Sequence, residues 1–428
     1  MCSSDLFIDL QDEVGFAGDR GLLAIALDPN FNTNHYLYMA YTVDPEFGPP
    51  EESADEPAFA RLVRYTGTSA SNGNIADPAS RTILIGDAPN TGFPVCNSTH
   101  TIGSLRWGLD GSLFLSVGDG AVWQGADQGG ITPDCLQYEQ PGNDIGAFRA
   151  QMLDSINGKI LRIDPATGLG LPSNPYYNGD PAAPRSKVWV YGLRNPFRFN
   201  VRPGSPSPGS LFIGDVGWSN FEEISSAHAG DNLGWPCYEG VNPSPEYPGF
   251  NPPVGGCNTI GSPGNPGTLR PPLIDFHHSN WNLSHPQGPT GQAAVGGVFQ
   301  VGTNYPAPYR GGFFFGEYIQ GWIKVIKADA DDDMTDLMNF GDNGHGPVDF
   351  AIDPLTGDVC FVSLWDQRVV RIHSTVRAGD VNRDGFVNAG DLLEVINHWG
   401  PCSRCQADLN GNGVVNLGDL LEVINNWG

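Results

Sequence analysis

The chain has 428 residues, 39% of them hydrophobic, which is enough for one large packed domain and a small one. Lys and Arg number 22 against 48 Asp and Glu, a formal net charge of −26, so nothing offers the basic stripe that nucleic acid or anionic lipid requires. No apolar run reaches the ~18 residues of a membrane span.

Fifty-seven Gly and 36 Pro make up more than a fifth of the chain and are scattered among short apolar runs, which predicts many tight turns. From residue 20 onward the same unit recurs: a β-rich run, a turn holding Asp or Gly, and another β-rich run. Examples are GLDGSLFLSVGD (108–119), GKILRIDPATG (158–168), GSLFIGDVG (209–217), GGFFFGEYIQGWIKVIKAD (311–329) and IDPLTGDVCFVSLWDQRVVRI (352–372). Apolar and polar positions alternate between Gly, Asp and Pro, as in strands and hairpins. QMLDSI (151–156) is the one candidate turn of helix in this region. At roughly 60 residues per unit, the pattern predicts an all-β domain over residues 1–374, a six-bladed β-propeller rather than a sandwich array. Loops of a propeller gather at one end of its channel, which is where a site is expected.

Eight cysteines fit an oxidising, extracytoplasmic compartment. Cys237/Cys257 and Cys402/Cys405 close short segments, Cys96/Cys135 could staple two loops, and spacing alone does not fix the connectivity. A zinc site at Cys402–Cys405 lacks a second ligand pair. MCSSDLFIDLQDEVGF has no basic start followed by an apolar stretch, so it is not a signal peptide. An exported chain without a leader is expected to have lost its original N-terminus and, with it, about one blade's strand.

After Ile372 the composition changes. HSTVRAG reads as a linker, and residues 375–428 form a second module with two copies of one sentence, DVNRDGFVNAGDLLEVINHWG (380–400) and DLNGNGVVNLGDLLEVINNWG (408–428). Calcium takes six to eight oxygens, and an EF-hand-like loop supplies them from positions 1, 3, 5, 7, 9 and 12 with Gly at 6. The first copy offers Asp380, Asn382, Asp384, the Phe386 carbonyl, Asn388 and Asp391, with Gly385 at the turn. The second offers Asp408, Asn410, Asn412, the Val414 carbonyl, Asn416 and Asp419, with Gly413 at the turn. Each loop runs into LLEVIN, whose apolar residues share one face of a short helix. With no helix before the loop and Asp at position 12, the module resembles a type I dockerin of the Gly-Cys kind, a small α-helical domain with two calcium loops. The resemblance implies a cohesin-like or cell-surface partner.

Four segments of the β-rich region, DRGLLAIALDPNFNTNHYLYMAYT (19–42), HTIGSLRWGLDGSLFLSVGDG (100–120), YGLRNPFRFN (191–200) and GDVGWSNFEEI (214–224), are similar to the glucose/sorbosone dehydrogenase family of soluble sugar dehydrogenases that use pyrroloquinoline quinone (PQQ). GKILRID (158–164), NLGWPCYEG (232–240) and GPVDFAIDP (346–354) extend the match over residues 15–374 in order. The resemblance implies a six-bladed propeller in which a loop histidine takes the proton of the sugar's anomeric hydroxyl, hydride passes to the quinone, and calcium polarises the quinone oxygens. His100 matches that base. Arg194 and Asn195 match residues beside the quinone, with Asp119 near them. The carbonyls of Gly217 and Trp218 and the carboxylate of Glu222 fall where the family's calcium ligands lie.

Where the family holds the quinone's carboxylates with basic residues, YIQGWIK (318–324) and GHGPVDF (344–350) carry none at the aligned places. Val216 replaces an amide, and Thr99 precedes His100 where an acid is expected. Lys324, Arg310 and Arg198 are the candidate substitutes, since a tricarboxylate needs cations. The competing reading makes His100 a hydrogen-bonded surface residue, Arg194 a tie between blades through carbonyls or Glu222/Glu223, and Asp119 a turn residue. Three functions are open: an exported aldose dehydrogenase displayed by the dockerin; a non-catalytic carbohydrate- or protein-binding propeller with Trp107, Trp123 and Trp218 as its contact surface; or a lactonase-like hydrolase.

Overall fold

The computed structural model describes residues 6–44, 57–130, 135, 144–252, 254–278, 289–302, 305, 307–342, 344–373, 379–402, 405–410 and 412–428. Cys2, most of the HSTVRAG linker and the middle of the CSRC segment lie outside them. The chain is mostly β and divides into two compact units, residues 1–297 with 317–320, and residues 298–316 with 321–428.

The first unit holds three antiparallel meanders, each of the kind that forms a propeller blade. One runs Leu22–Leu27, Tyr36–Val43, Ala58–Gly67 and Ala76–Ile85, with Phe93–Val95 also paired to Ala58–Gly67. The second orders Ile102–Trp107, Leu113–Val117, Lys159–Ile163 and Val188–Tyr191, extended by Asp231–Asn232 and Thr268–Leu269. The third runs Pro196–Val201, Leu211–Asp215, Phe221–Ala227 and Ile274–His277. Leu113–Val117 and Lys159–Ile163 are buried at every position; LFLSV reads as a nearly continuous apolar run, whereas Lys159 and Arg162 of KILRI are buried with hydrogen-bond partners. Leu105, Leu115 and Leu161 pack with Tyr38 and Leu62 between the first two sheets, while Phe114, Ile160, Phe199 and Ile213 pack between the second and third. Each such side chain contributes about 1.5–3 kcal/mol on leaving water. Neighbouring strands approach so closely at Gly214 that an added Cβ would stand 2.2 Å from the Gly296 nitrogen. Glycine there is a packing requirement.

The expected helical turn at 151–156 is not formed. A 3-10 helix spans Gly146–Gln151 and ends as Met152 turns to an extended conformation (ψ 115°). Helical turns also lie at Phe31–Asn34 and at Pro184–Lys187, where proline occupies the first turn and needs no N–H partner.

In the second unit, Phe313–Glu317, Ile323–Ala328 and Met334–Gly341 form successive antiparallel pairs. Pro347–Ile352, Val359–Ser363 and Arg368–Ile372 form a three-stranded sheet. Its C-terminal part has helices Ala389–Asn397 and Leu417–Asn425, each opened by a capping box, Asn388 with Asp391 and Asn416 with Asp419. Val381, Val387, Val395, Ala407, Val415 and Val423 make its core, and Gly400–Pro401 pairs with Val414–Val415. All three cysteine pairs named from sequence form disulfides, and Cys360 is free.

Candidate active site

His100 sits in the loop before Ile102–Trp107 with φ at 55°, a left-handed conformation that few side chains adopt. Three contacts hold it there. Its N–H donates to Asp19 Oδ2 (3.1 Å), its carbonyl accepts the Gly120 N–H (3.2 Å), and Gly118 packs so closely that a Cβ would lie 2.3 Å from the His100 oxygen. The ring is 4% exposed, and Nδ1 lies 2.8 Å from Asp119 Oδ1. A carboxylate only accepts, so the proton of neutral His100 belongs on Nδ1 and Nε2 carries the lone pair. Among the described residues no hydrogen bond engages Nε2. The histidine is therefore a buried, oriented group rather than a surface residue.

Asp119 is fully buried, at the end of Leu113–Val117. Oδ1 also accepts the Ala121 N–H (2.9 Å), and Oδ2 accepts the Trp235 indole N–H (2.7 Å). Burial pushes its carboxyl up, but His100, the Arg194 charge and the Ala121 N–H together outweigh burial and hold it below the usual carboxylate range. It is thus more than a turn residue. Lys159, also fully buried, donates from Nζ to the carbonyls of Arg149 (2.8 Å), Ala150 (2.9 Å) and Asn157 (2.7 Å). Burial pushes its ammonium far down, opposed by Asp119, yet three accepting carbonyls engage three N–H groups, which only the protonated amine has.

Arg194 and Asn195 come after Val188–Tyr191. Both backbone N–H groups donate to Asp215, at 3.0 and 2.7 Å, and the Arg194 carbonyl accepts the Asp119 N–H at 2.8 Å. Burial pushes the Asp215 carboxyl up to about 7 against those N–H groups and the Arg194 charge. Arg194 Nη1 donates to the carbonyls of Val216 (3.0 Å) and Gly217 (2.5 Å), its guanidinium lies 5.6 Å from the centre of the Trp235 ring, and its buried Nε has no partner among the described residues. Arg194 thus binds carbonyls of its own hairpin, since Pro196–Val201 and Leu211–Asp215 pair in one sheet, and does not tie two sheets together through them.

Two of the three oxygens expected to hold a propeller calcium have hydrogen-bond partners of the protein's own. Gly217 O accepts from Arg194. Glu222, 0% exposed, accepts the N–H groups of Gly217 (3.2 Å) and Ala294 (2.7 Å) on Oε2 and lies 2.6 Å from His278 Nε2 through Oε1. Residues 218–221 fold around a different acid: Glu239 Oε1 accepts the N–H groups of Trp218, Ser219, Asn220 and Phe221 at 2.8–3.3 Å. Among the described residues no three His, Cys, Asp or Glu side chains form a metal cluster.

A planar tricarboxylate quinone needs a cation and a flat wall. Arg198 donates to the carbonyls of Gly103 and Phe197, and Arg310 to those of Tyr305 and Asn382. Lys324 bonds Asn339 and lies over Trp322. All three are engaged by the protein's own groups. Arg194, whose charge acts on Asp119, and the indole of Trp218, which meets Trp235 edge-on and bonds the carbonyl of the exposed Trp123 at 2.9 Å, are the cation and flat groups linked to the His100–Asp119 pair.

Sequence reasoning passed over Trp235, Asp215 and His278. Trp235 lay in a quoted segment, but only its reach across more than a hundred residues to Asp119 gives it a role.

In the C-terminal module the predicted ligands lie on two tight loops whose glycines, Gly385 (φ 91°) and Gly413 (φ 83°), need the left-handed region. Asp380 accepts the N–H groups of Asp384 and Gly385, and Asp391 those of Asn382 and Asn388. Asp408 and Asp419 repeat the pattern with Asn412 and Gly413, and with Leu409, Asn410 and Asn416. Burial, with Asp391 and Asp384 adding like charge, raises the Asp380 carboxyl, so this donor set fits a hard divalent cation. Phe386 and Val414 stand at the carbonyl positions, their side chains exposed.

The glucose/sorbosone dehydrogenase family model matches residues 5–258, and the type I dockerin model residues 378–427. The HIPL2 protein of Arabidopsis thaliana is 26% identical over 393 residues, 81% of this chain and 50% of that protein. The chain spans about half the length of the curated relatives it matches. A glucose dehydrogenase crystal structure superposes with a TM-score of 0.57 at 20% identity, covering 85% of each chain. The PQQ-bound aldose sugar dehydrogenase of Streptomyces coelicolor gives 0.51 at 19%, covering 84% of this chain and 82% of that one. These likenesses establish the fold.

Proposed function

The chain belongs to the glucose/sorbosone dehydrogenase family and ends in a type I dockerin domain, and from that premise we propose that it oxidises an aldose sugar with PQQ as acceptor. The observation that carries the reading is the buried His100–Asp119 pair with Nε2 unengaged. His100 Nε2 takes the proton of the anomeric hydroxyl as hydride leaves C1, and the sugar becomes its lactone. Asp119 holds the imidazole with Nε2 outward and stabilises the imidazolium that forms. Bound PQQ supplies the two-electron acceptor. Arg194 binds its negative charge, and the indoles of Trp123 and Trp218 bind its plane. A propeller calcium would be held by the carbonyls of Gly217 and Trp218 and the carboxylate of Glu222, where it would polarise the quinone oxygens.

The boundary proposed is a six-bladed catalytic region to residue 374 and a dockerin over 375–428. Leu393 and Ile396 on the first helix and Trp399 just beyond it, with Leu421, Ile424 and Trp427 in the second copy, are exposed. With calcium held by the loops they dock a cohesin-like or cell-surface partner. Three disulfides favour an extracytoplasmic location, and no described helix is long and apolar enough to cross a membrane.

The test is a PQQ titration followed by dye reduction with a panel of aldoses. Saturable binding and sugar-dependent turnover support the assignment. No binding makes His100 a structural histidine in a binding propeller, and acid release from a lactone without an acceptor makes the chain a hydrolase.

A further inference from the structure

Trp235 touches both halves of the site and belongs to neither. Its indole N–H donates to Asp119 Oδ2 at 2.7 Å, and its ring lies 5.6 Å from the Arg194 guanidinium carbon. We propose that Trp235 is a positioning residue that fixes the rotation of the Asp119 carboxylate, and through it the direction and basicity of His100, while backing Arg194 with its ring. The inference rests on the dehydrogenase reading for its catalytic consequence, but its geometry stands apart from that reading.

Three features make Trp235 rigid enough for this. The Trp235 N–H donates to the Gly192 carbonyl (3.0 Å), and the Trp235 carbonyl accepts from Gln151 Nε2 (2.7 Å). The ring meets Trp218 and Tyr247 edge-on, at 6.2 and 5.2 Å between centroids. Two residues on, Cys237 is bonded to Cys257, which pins the segment to the loop after Tyr247. Tyr247 is itself held by the Asp127 N–H on its hydroxyl (3.0 Å).

The indole N–H matters because of what else Asp119 carries. Oδ1 is shared between His100 Nδ1 and the Ala121 N–H, and the indole is the one donor to Oδ2 among the described residues. A fully buried carboxylate with one oxygen unpartnered either rotates or concentrates its charge on the partners it keeps. Both outcomes act on His100. The charged and titratable groups around the pair are Arg194, Lys159, Asp215, Tyr247 and, beyond it, Asp127, with Asp19 on the His100 backbone. None of them donates to Oδ2. Losing the indole N–H leaves more of the Asp119 charge to the imidazolium, so His100 becomes more basic and is protonated to higher pH.

The test is the titration of the His100 imidazole by NMR in the full chain without added quinone, wild type beside Trp235→Phe. Phenylalanine keeps a ring under Arg194 and removes only the donor. An upward move of about one pH unit in the His100 midpoint is expected, and an unchanged midpoint overturns the proposal. Should the variant not fold, the wild-type indole resonance decides. A Trp235 N–H that shifts with the His100 titration supports the coupling, and one that ignores it overturns the coupling. In quinone-loaded protein the acid limb of kcat should move up in Trp235→Phe with KM little changed. A shifted His100 midpoint in a protein that oxidises no aldose would refute the dehydrogenase and leave the role of Trp235 standing.

Discussion

Asp119 and Asp215 are bonded to opposite sides of one residue: the Arg194 carbonyl accepts the Asp119 N–H at 2.8 Å, and the Arg194 N–H donates to Asp215 at 3.0 Å. Their acidities are driven apart. Asp119 is held ionised by His100 and Arg194, whereas Asp215, without a comparable partner, is pushed up to about 7 by burial and by the charge of Asp119. Pairs of carboxyls separated in this way mark where a fold divides acid and base roles.

Stability should record that separation. A carboxyl raised from 3.8 to about 7 contributes stability that is complete below its unfolded value and lost as pH rises through about 7. Glu223, also raised by burial and by Asp215, acts with the same sign. Asp119, lowered, acts oppositely, and its contribution disappears only as pH falls through its folded value. Denaturant midpoints at pH 5 and pH 8 should favour pH 5, and Asp215→Asn should narrow the gap while weakening the fold at both. An unchanged gap would mean that Asp215 is ionised throughout.

Asp119→Asn should keep the fold and lose the reaction. The amide offers one acceptor where His100, Ala121 and Trp235 all donate, so the imidazole is no longer held in one tautomer. A fall of about 100-fold or more in kcat with KM little changed is expected, by analogy with other His–Asp pairs. Steady-state dye reduction at saturating quinone measures it.

Glu222 is a strut that bonds Gly217, Ala294 and His278 at once. Replacing it with alanine strands the N–H groups of Gly217 and Ala294 and leaves His278 without its partner. The cost should be about 2–4 kcal/mol, seen as a lower denaturation midpoint. A chelator should not reproduce this loss.

Calcium removal should act on the C-terminal module instead. With Asp380, Asp384 and Asp391 crowded and un-neutralised, chelated protein should lose the helical signal of residues 389–397 and 417–425 and become open to proteases there. Asp391→Ala should do the same to the first copy, since its two oxygens hold the Asn382 and Asn388 N–H groups. Full protease resistance without calcium would show that the valine core suffices.

Much of this was legible in the sequence because the signals were local. The short apolar run LFLSV, the Asp and Gly corners and the doubled loop each fix a turn or a strand by its neighbours alone. His100 and Arg194 were found through motifs, and the structure brings them together through Asp119 and Trp235. The rest was not legible because it depends on distant partners. Nothing in VGWSNFEEI tells that Glu239 gathers the N–H groups of residues 218–221, or that Ala294 and His278 consume Glu222. QMLDSI carries helix-forming residues, but its conformation is set by the tertiary bonds around Gln151, which joins Asn232 and Trp235.

The central claim, that His100 is the base of a sugar oxidation, is tested most directly in a single turnover. Quinone-loaded wild type and His100→Asn are mixed anaerobically with an aldose, and reduction of the bound quinone is followed by absorbance. The account predicts equal quinone affinity and reduction at least about 100-fold slower in the variant. Equal rates in the two proteins would contradict it.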